Sequence, residues 1–226
     1  TTSTDKTALL WDRKGNPKFT LLHDAAVDAA FFAPDGKHIV TCARDKKIYI
    51  WTARGEFLER KGSKKMMFNY SRFSPDGKHL ISVTTDQRIV IFDSSFVQKQ
   101  IFQAHRKKIY RFRFSPCGQY FVTASKDNSA RIWKLDGKLQ AALEGHQGNV
   151  HSAVFSNDGR RIVTAGQDAT ARVWDLDGNC LHVLTGHPRS VSRALFSPNG
   201  KQILTLSMGY DVRLWSANGK LKKVLD

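Results

Sequence analysis

The sequence predicts an all-β protein, a β-propeller of four-stranded antiparallel blades, and three observations carry that prediction. All five tryptophans stand on one lattice: Trp11, Trp51, Trp133, Trp174 and Trp215. Their gaps are 40, 82, 41 and 41 residues, with Phe92 in the slot that the long gap skips. Other residue types ride the same period. A turn glycine recurs at Gly36, Gly77, Gly118, Gly159 and Gly200, an aromatic at Phe32, Phe73, Phe114, Phe155 and Phe196, and a hydroxyl at Thr41, Ser82, Thr123, Thr164 and Thr205. Between turns the apolar residues alternate with period two, and no stripe of helical spacing competes.

Within one period each element has a physical reason. Val150 to Phe155 alternates as a strand, and Ser156-Asn157-Asp158-Gly159 turns it. Arg161 to Ala165 is the second strand, followed by the turn Gly166-Gln167-Asp168. Thr170 to Trp174 is the third, the turn Leu176-Asp177-Gly178-Asn179 follows, and Leu181 to Leu184 is the fourth. β-branched and aromatic residues fill the strands, while Gly, Asn and Asp punctuate them. In the Ser-Pro-Asp-Gly turns, Pro34, Pro75, Pro116 and Pro198 preset φ and the following glycine accepts a positive φ. A four-stranded unit of this size cannot cover both its faces alone. Radial stacking around a channel covers them and leaves only short edges. The units fall at about 1–22 (partial), 23–62, 64–102, 105–143, 146–185 and 187–226, five full blades and part of another.

Composition agrees with a packed domain. The 226 residues are 41% hydrophobic and 25% charged, which excludes a disordered, collagen-like or coiled-coil chain. The three cysteines, Cys42, Cys117 and Cys180, form no spaced pair, so neither a disulfide framework nor a zinc site is expected and an intracellular location is. No apolar run approaches the ~20 residues of a membrane helix, and no membrane partner is expected. The outlying number is charge. Lys and Arg total 36 against 20 Asp and Glu, a net +16, which favours an acidic partner.

The lattice also carries a known signature. Gly145-His146 with Trp174-Asp175, and Gly186-His187 with Trp215, resemble the WD-repeat (WD40) family, and His23 and His105 keep the histidine alone. The resemblance covers essentially the whole chain. It implies a structural tetrad of His, Ser/Thr, Asp and Trp in each blade. Three units match it: His23-Thr41-Asp45-Trp51, His105-Thr123-Asp127-Trp133 and His146-Thr164-Asp168-Trp174. Two depart and are expected to be looser. One has Lys64, Ser82, Asp86 and Phe92. The other has His187, Thr205 and Trp215 but Gly209 in the acid slot, with Asp211 two residues off register. Asp5 and Thr1 fall on the acid and hydroxyl slots of Trp11, so the chain is expected to be a segment of a longer protein whose remaining blades complete a seven-bladed ring.

Ser/Thr, His and Asp together invite comparison with a hydrolase triad. A catalytic triad occurs once, in one cleft, whereas this set recurs in every blade, so its role is to satisfy hydrogen bonds. No phosphate loop, HExxH or Gly-x-Ser-x-Gly is present, and no catalytic residue, cofactor or metal is expected.

The resemblance places partner contacts on the face bearing the loop before the first strand and the turn after the second. In this sequence that face takes Arg44 with Ala26 and Asp28; Met67, Asn69 and Thr85, with Lys65 alongside; Lys108, Tyr110 and Lys126, preceded by Arg106 and Lys107; Asn149, His151 and Gln167; and Met208 with Ser190 and Ser192. Basic groups beside Tyr110 suit an acidic, partly hydrophobic peptide. More than half of the acids sit in repeat slots, so the freely chosen surface is more basic than the bulk ratio. The expected function is a non-enzymatic scaffold binding protein partners. Docking on RNA, DNA or a ribonucleoprotein is one alternative, and the sensor propeller of a larger signalling ATPase is another.

Overall fold

The computed structural model describes residues 1–62 and 66–225. Among them there is no helix, and every element is a strand. The chain divides into two compact units, 1–103 and 104–226.

The first unit opens with a two-stranded hairpin, β1 (Thr7–Trp11) and β2 (Pro17–Leu22). Two four-stranded antiparallel sheets follow. One is β3 (Val27–Phe32), β4 (His38–Ala43), β5 (Ile48–Thr52) and β6 (Phe57–Lys61). The other is β7 (Phe68–Phe73), β8 (His79–Thr84), β9 (Arg88–Asp93) and β10 (Gln98–Gln103). The second unit holds three such sheets. They are β11 (Ile109–Phe114), β12 (Tyr120–Ser125), β13 (Ala130–Lys134) and β14 (Leu139–Leu143); then β15 (Val150–Phe155), β16 (Arg161–Gly166), β17 (Ala171–Asp175) and β18 (Cys180–Leu184); then β19 (Val191–Phe196), β20 (Gln202–Ser207), β21 (Val212–Ser216) and β22 (Leu221–Leu225). In every sheet the strands pair in chain order, as in a propeller blade.

Burial follows strand position. The second strands β4 and β16, which pack on a neighbouring sheet on either side, are almost wholly buried, β20 is only half buried, and the edge strands β6 and β18 are mostly exposed. Each core is an interface between neighbouring blades of one unit. In the first unit Val40, Ile48 and Ile50 of one blade pack with Phe68, Leu80, Val90 and Phe92 of the next. In the second, Val122, Ile132 and Leu143 pack with Val150, Ile162 and Trp174, and Val163 and Val173 pack with Val191, Ile203 and Trp215. The turn glycines Gly36, Gly77, Gly118, Gly159 and Gly200 have φ between 67° and 72°, and each donates its N–H to the carbonyl three residues back at 2.9 Å.

The turn after each second strand stores strain. Lys46, Gln87, Asn128, Ala169 and Tyr210, none of them glycine, take φ between 60° and 70° at one lattice position. Asn tolerates this conformation and Ala does not, so relief is available at Ala169. Ala169→Gly is expected to raise stability by about 0.5–1 kcal/mol, read as a higher urea midpoint, and Ala169→Val to lower it.

Candidate functional site

The hydrogen-bond chain that holds each loop pair starts at a buried hydroxyl. In the β11–β14 blade Trp133 Nε1 donates to Thr123 Oγ1 at 3.0 Å, and Thr123 Oγ1 lies 2.7 Å from His105 Nε2. His105 Nδ1 lies 2.9 Å from Asp127 Oδ2. In the β15–β18 blade the same contacts are 2.9 Å for Trp174 to Thr164, 2.7 Å for Thr164 to His146, and 2.9 Å for His146 to Asp168. Gly166 packs closely against this pair, a Cβ there standing 2.2 Å from His146 Nδ1, whereas Ser125 and Ser207 fill the same slot beside the corresponding pairs. The directions are consistent with one proton inventory. The indole donates to the hydroxyl, the hydroxyl to Nε2, and Nδ1–H to the carboxylate.

Two blades differ from the sequence reading. The β19–β22 blade has a complete chain: Trp215 donates to Thr205 at 2.8 Å, Thr205 contacts His187 at 2.6 Å, and His187 Nδ1 meets Asp211 Oδ2 at 2.8 Å. The expectation that Gly209 leaves it looser is corrected. Asp211 follows Tyr210, whose left-handed φ of 63° turns the chain back, and the turn carries the Asp211 carboxylate to His187 Nδ1. Ser129 and Thr170 occupy that position in the other blades, and their hydroxyls already lie 3.4 and 3.3 Å from the imidazole.

The β3–β6 blade is the reverse case. Its sequence matches the full tetrad, and Trp51 and His23 both reach Thr41, at 3.0 and 2.6 Å. Asp45, however, does not pair with His23, whose Nδ1 contacts the Leu21 carbonyl at 3.0 Å. Tyr49 explains this. It stands where Arg131, Arg172 and Arg213 stand elsewhere, its hydroxyl donates to Asp45 at 2.7 Å, and Lys47 adds an ion pair at 3.1 Å. In the β7–β10 blade Ser82 Oγ pairs with Ser71 Oγ at 2.7 Å, and Asp86 is held by Arg88. Lys64 and Lys65 lie outside the described residues. In the opening hairpin Trp11 Nε1 donates to Thr1 Oγ1 at 3.0 Å. Arg131 Nη1 donates to the Ala104 carbonyl at 2.6 Å, and Arg213 pairs with Asp211 at 2.9 Å.

These chains present the candidate face. A backbone bond ties its two loops in every blade: Arg44 N–H to Ala26, Thr85 to Met67, Lys126 to Lys108, Gln167 to Asn149 and Met208 to Ser190, all at 2.8–2.9 Å. A β-bulge then singles out one residue on each first strand. Pairing skips Asp28, Asn69, Tyr110, His151 and Ser192, because two residues of the first strand oppose one of the second. A bulge frees a side chain from the ladder and re-aims it. The sequence places these residues on the face but does not reveal that a bulge aims them.

In the second unit the face residues meet. Lys108 Nζ sits 5.9 Å from the centre of the Tyr110 ring, and that ring lies 5.5 Å from His151. His151 Nε2 is 3.1 Å from Ser190 Oγ. The strip crosses three blades. Gln167 Oε1 accepts from the Asn149 N–H at 3.3 Å. Lys126 and Met208 are exposed on the paired turns. Arg106 lines a cavity of about 380 Å³ with Asp127, Arg131, Glu144 and His146, a setting that mixes both signs of charge, while Lys107 is exposed. In the first unit Arg44 is tied to Asp28 at 2.9 Å, Asn69 Nδ2 reaches the Thr84 carbonyl at 3.4 Å, and Met67 is exposed.

Burial holds the His105, His146 and His187 imidazoles below their ordinary 6.5, with the partner carboxylates offsetting only part of it. Burial alone lowers His151. The Asp127 and Asp168 carboxyls are pushed up by burial. Hydrogen bonds outweigh this and hold them below the usual carboxylate range, from His105 and Ser129 at Asp127 and from Gln147, Thr170 and His146 at Asp168. Among the described residues no group of histidine, cysteine and carboxylate side chains could hold a metal ion.

The WD domain, G-beta repeat family model matches residues 15–52, 69–93, 96–134, 137–175 and 178–216. The nuclear distribution protein nudF 1 of Talaromyces marneffei is 44% identical over 52 residues, a stretch covering 23% of this chain and 11% of that protein.

Two outcomes follow from these chains. Asp211→Ala is expected to cost about 1–3 kcal/mol, as much as Asp168→Ala, because each strands a buried imidazole N–H. Gly209→Ala should stay within about 0.5 kcal/mol, and urea midpoints compare the three. The second outcome concerns pH. The folded chain resists protonating its lowered histidines, so the unfolded chain takes up protons first as pH falls through 6.5. Stability is expected to fall from there, and again below 3.8, where unfolded carboxylates protonate while Asp127 and Asp168 do not until lower pH. Thermal melts between pH 8 and pH 3 check both steps.

Proposed function

The chain belongs to the WD-repeat family, whose propellers generally mediate protein–protein interactions, and on that premise we propose that it is a non-enzymatic scaffold whose loop face binds protein partners. The single observation that supports this is the strip Lys108–Tyr110–His151–Ser190. It is continuous across three blades, half-buried at its centre and placed by bulges outside the ladder. Partner binding in general concentrates on such ordered aromatic and cationic groups held by a rigid frame. The histidine–aspartate pairs suit a frame and not a reaction. Their imidazoles are wholly buried and saturated on both nitrogens, with no room for a substrate atom between hydroxyl and base.

A photo-crosslinking residue placed at Gln167 tests the reading. Gln167 lies on the loop face, and Lys201 lies in the turn between β19 and β20 at the other end of the strands. Adducts to a second protein are expected from position 167 in whole cells and not from position 201. Adducts from position 201 alone would overturn the assignment of this face.

A further inference from the structure

The cations of the second unit's loop face are free to meet a partner. Arg106, Lys107 and Lys108 before β11, and Lys126 after β12, have no carboxylate within ion-pair distance among the described residues. Arg44, on the corresponding loop of the first unit, is neutralised by Asp28 at 2.9 Å. The acids of the second unit's loops do not compete. Asp127, Asp168 and Asp211 each receive a histidine Nδ1–H and are at most 14% exposed at the side chain. Glu144 is exposed and lines the cavity that holds Arg106 and Arg131, so the cations furthest from any acid are Lys107, Lys108 and Lys126.

Beside these cations the surface turns apolar. The Tyr110 and His151 rings are 5.5 Å apart at 52°, and burial disfavours charge on His151. Exposed Met208 follows on the next blade. The polar end of the strip is the Ser190 hydroxyl. Cation, aromatic pair and hydroxyl thus lie in sequence across three blades.

We propose that the partner of this face is an acidic peptide segment with an apolar side chain beside its carboxylates, laid from Lys108 across Tyr110 to Ser190. The proposal rests on the interaction role assigned above to the same face. Its carboxylates meet the free ammonium groups, and its apolar side chain covers the Tyr110–His151 pair. Ser190 then faces the segment's backbone. A single-stranded nucleic acid fits less well, because it needs a row of stacking platforms and the strip offers one pair of rings.

Fluorescence anisotropy at about 0.15 M salt tests this, with exposed charges partly screened. The probes are a short fluorescein-labelled peptide of alternating glutamate and leucine, its counterpart with serine for leucine, and a single-stranded oligonucleotide of equal charge. The glutamate–leucine peptide is expected to bind most tightly. Lys108→Glu and Tyr110→Ala should each weaken it by about tenfold or more, and Lys201→Glu should leave it within about twofold. Lys108 is exposed, so its substitution reports binding and not folding, and melting curves verify the Tyr110 variant. Equal binding of the serine peptide or the oligonucleotide, or equal loss in Lys201→Glu, would reduce the effect to bulk charge and overturn the proposal. No binding of the glutamate–leucine peptide would also overturn it. Crosslinks from Gln167 would in that case leave the interaction role intact.

Discussion

A buried hydroxyl on the second strand organises each blade that carries a tryptophan on its third. Thr41, Thr123, Thr164 and Thr205 are fully buried, and each receives an indole N–H while facing an imidazole. A hydroxyl is suited to this place because it can accept from one side and donate to the other. The indole fixes the third strand, and the imidazole fixes the loop before the first. Two elements far apart in sequence are thereby pinned to one oxygen. An unpaired polar group at that depth would cost about 1–3 kcal/mol, so the set is stable only when complete. Exposed loops gain their order from this buried point, and the backbone bond between the two loops extends that order to the surface.

The deviating blades show what the constraint fixes and what it leaves open. It requires that the imidazole Nδ1–H find an acceptor, but it does not require which one. His187 finds Asp211, and His23 finds a backbone carbonyl. Where the third strand has Phe92 in place of an indole, the hydroxyl of Ser82 turns to Ser71 and the chain is rebuilt from neutral groups. The acid is correspondingly free to take other work. Asp45 binds Tyr49 and Lys47, and Asp86 binds Arg88 with its side chain 53% exposed.

Much of this was legible in the sequence, and the failures have definite causes. The 41-residue lattice placed the strands within a residue or two, because period-two alternation and turn glycines are local signals. The assignment of an acid to each histidine was not local. Reading a fixed spacing of 22 residues favoured Asp45 and disfavoured Asp211, whereas the geometry depends on where the turn carries each carboxylate and on what competes for it. Tyr49, two residues before Trp51, was the signal that Asp45 had another partner. Ion pairing was equally hidden. Arg44 and Lys108 read alike as basic face residues, yet only the first has a carboxylate beside it, contributed by a bulge residue on the neighbouring strand.

The net charge of +16 acquires a location from these pairings. Many of the acids are committed to turns and to histidines, where they are local acceptors. In the first unit several cations of the loop region are paired: Lys47 with Asp45, Arg60 with Asp24 and Arg44 with Asp28. Around β11 they are not, and the same loops carry the tyrosine that meets His151. Coulomb attraction at a surface is weak and nonspecific by itself, but fixed cations next to a desolvated aromatic gain directional preference, since a ligand must satisfy both within one geometry. On the role proposed for this face, the frame that holds those loops is what would turn an excess of base into a surface able to discriminate.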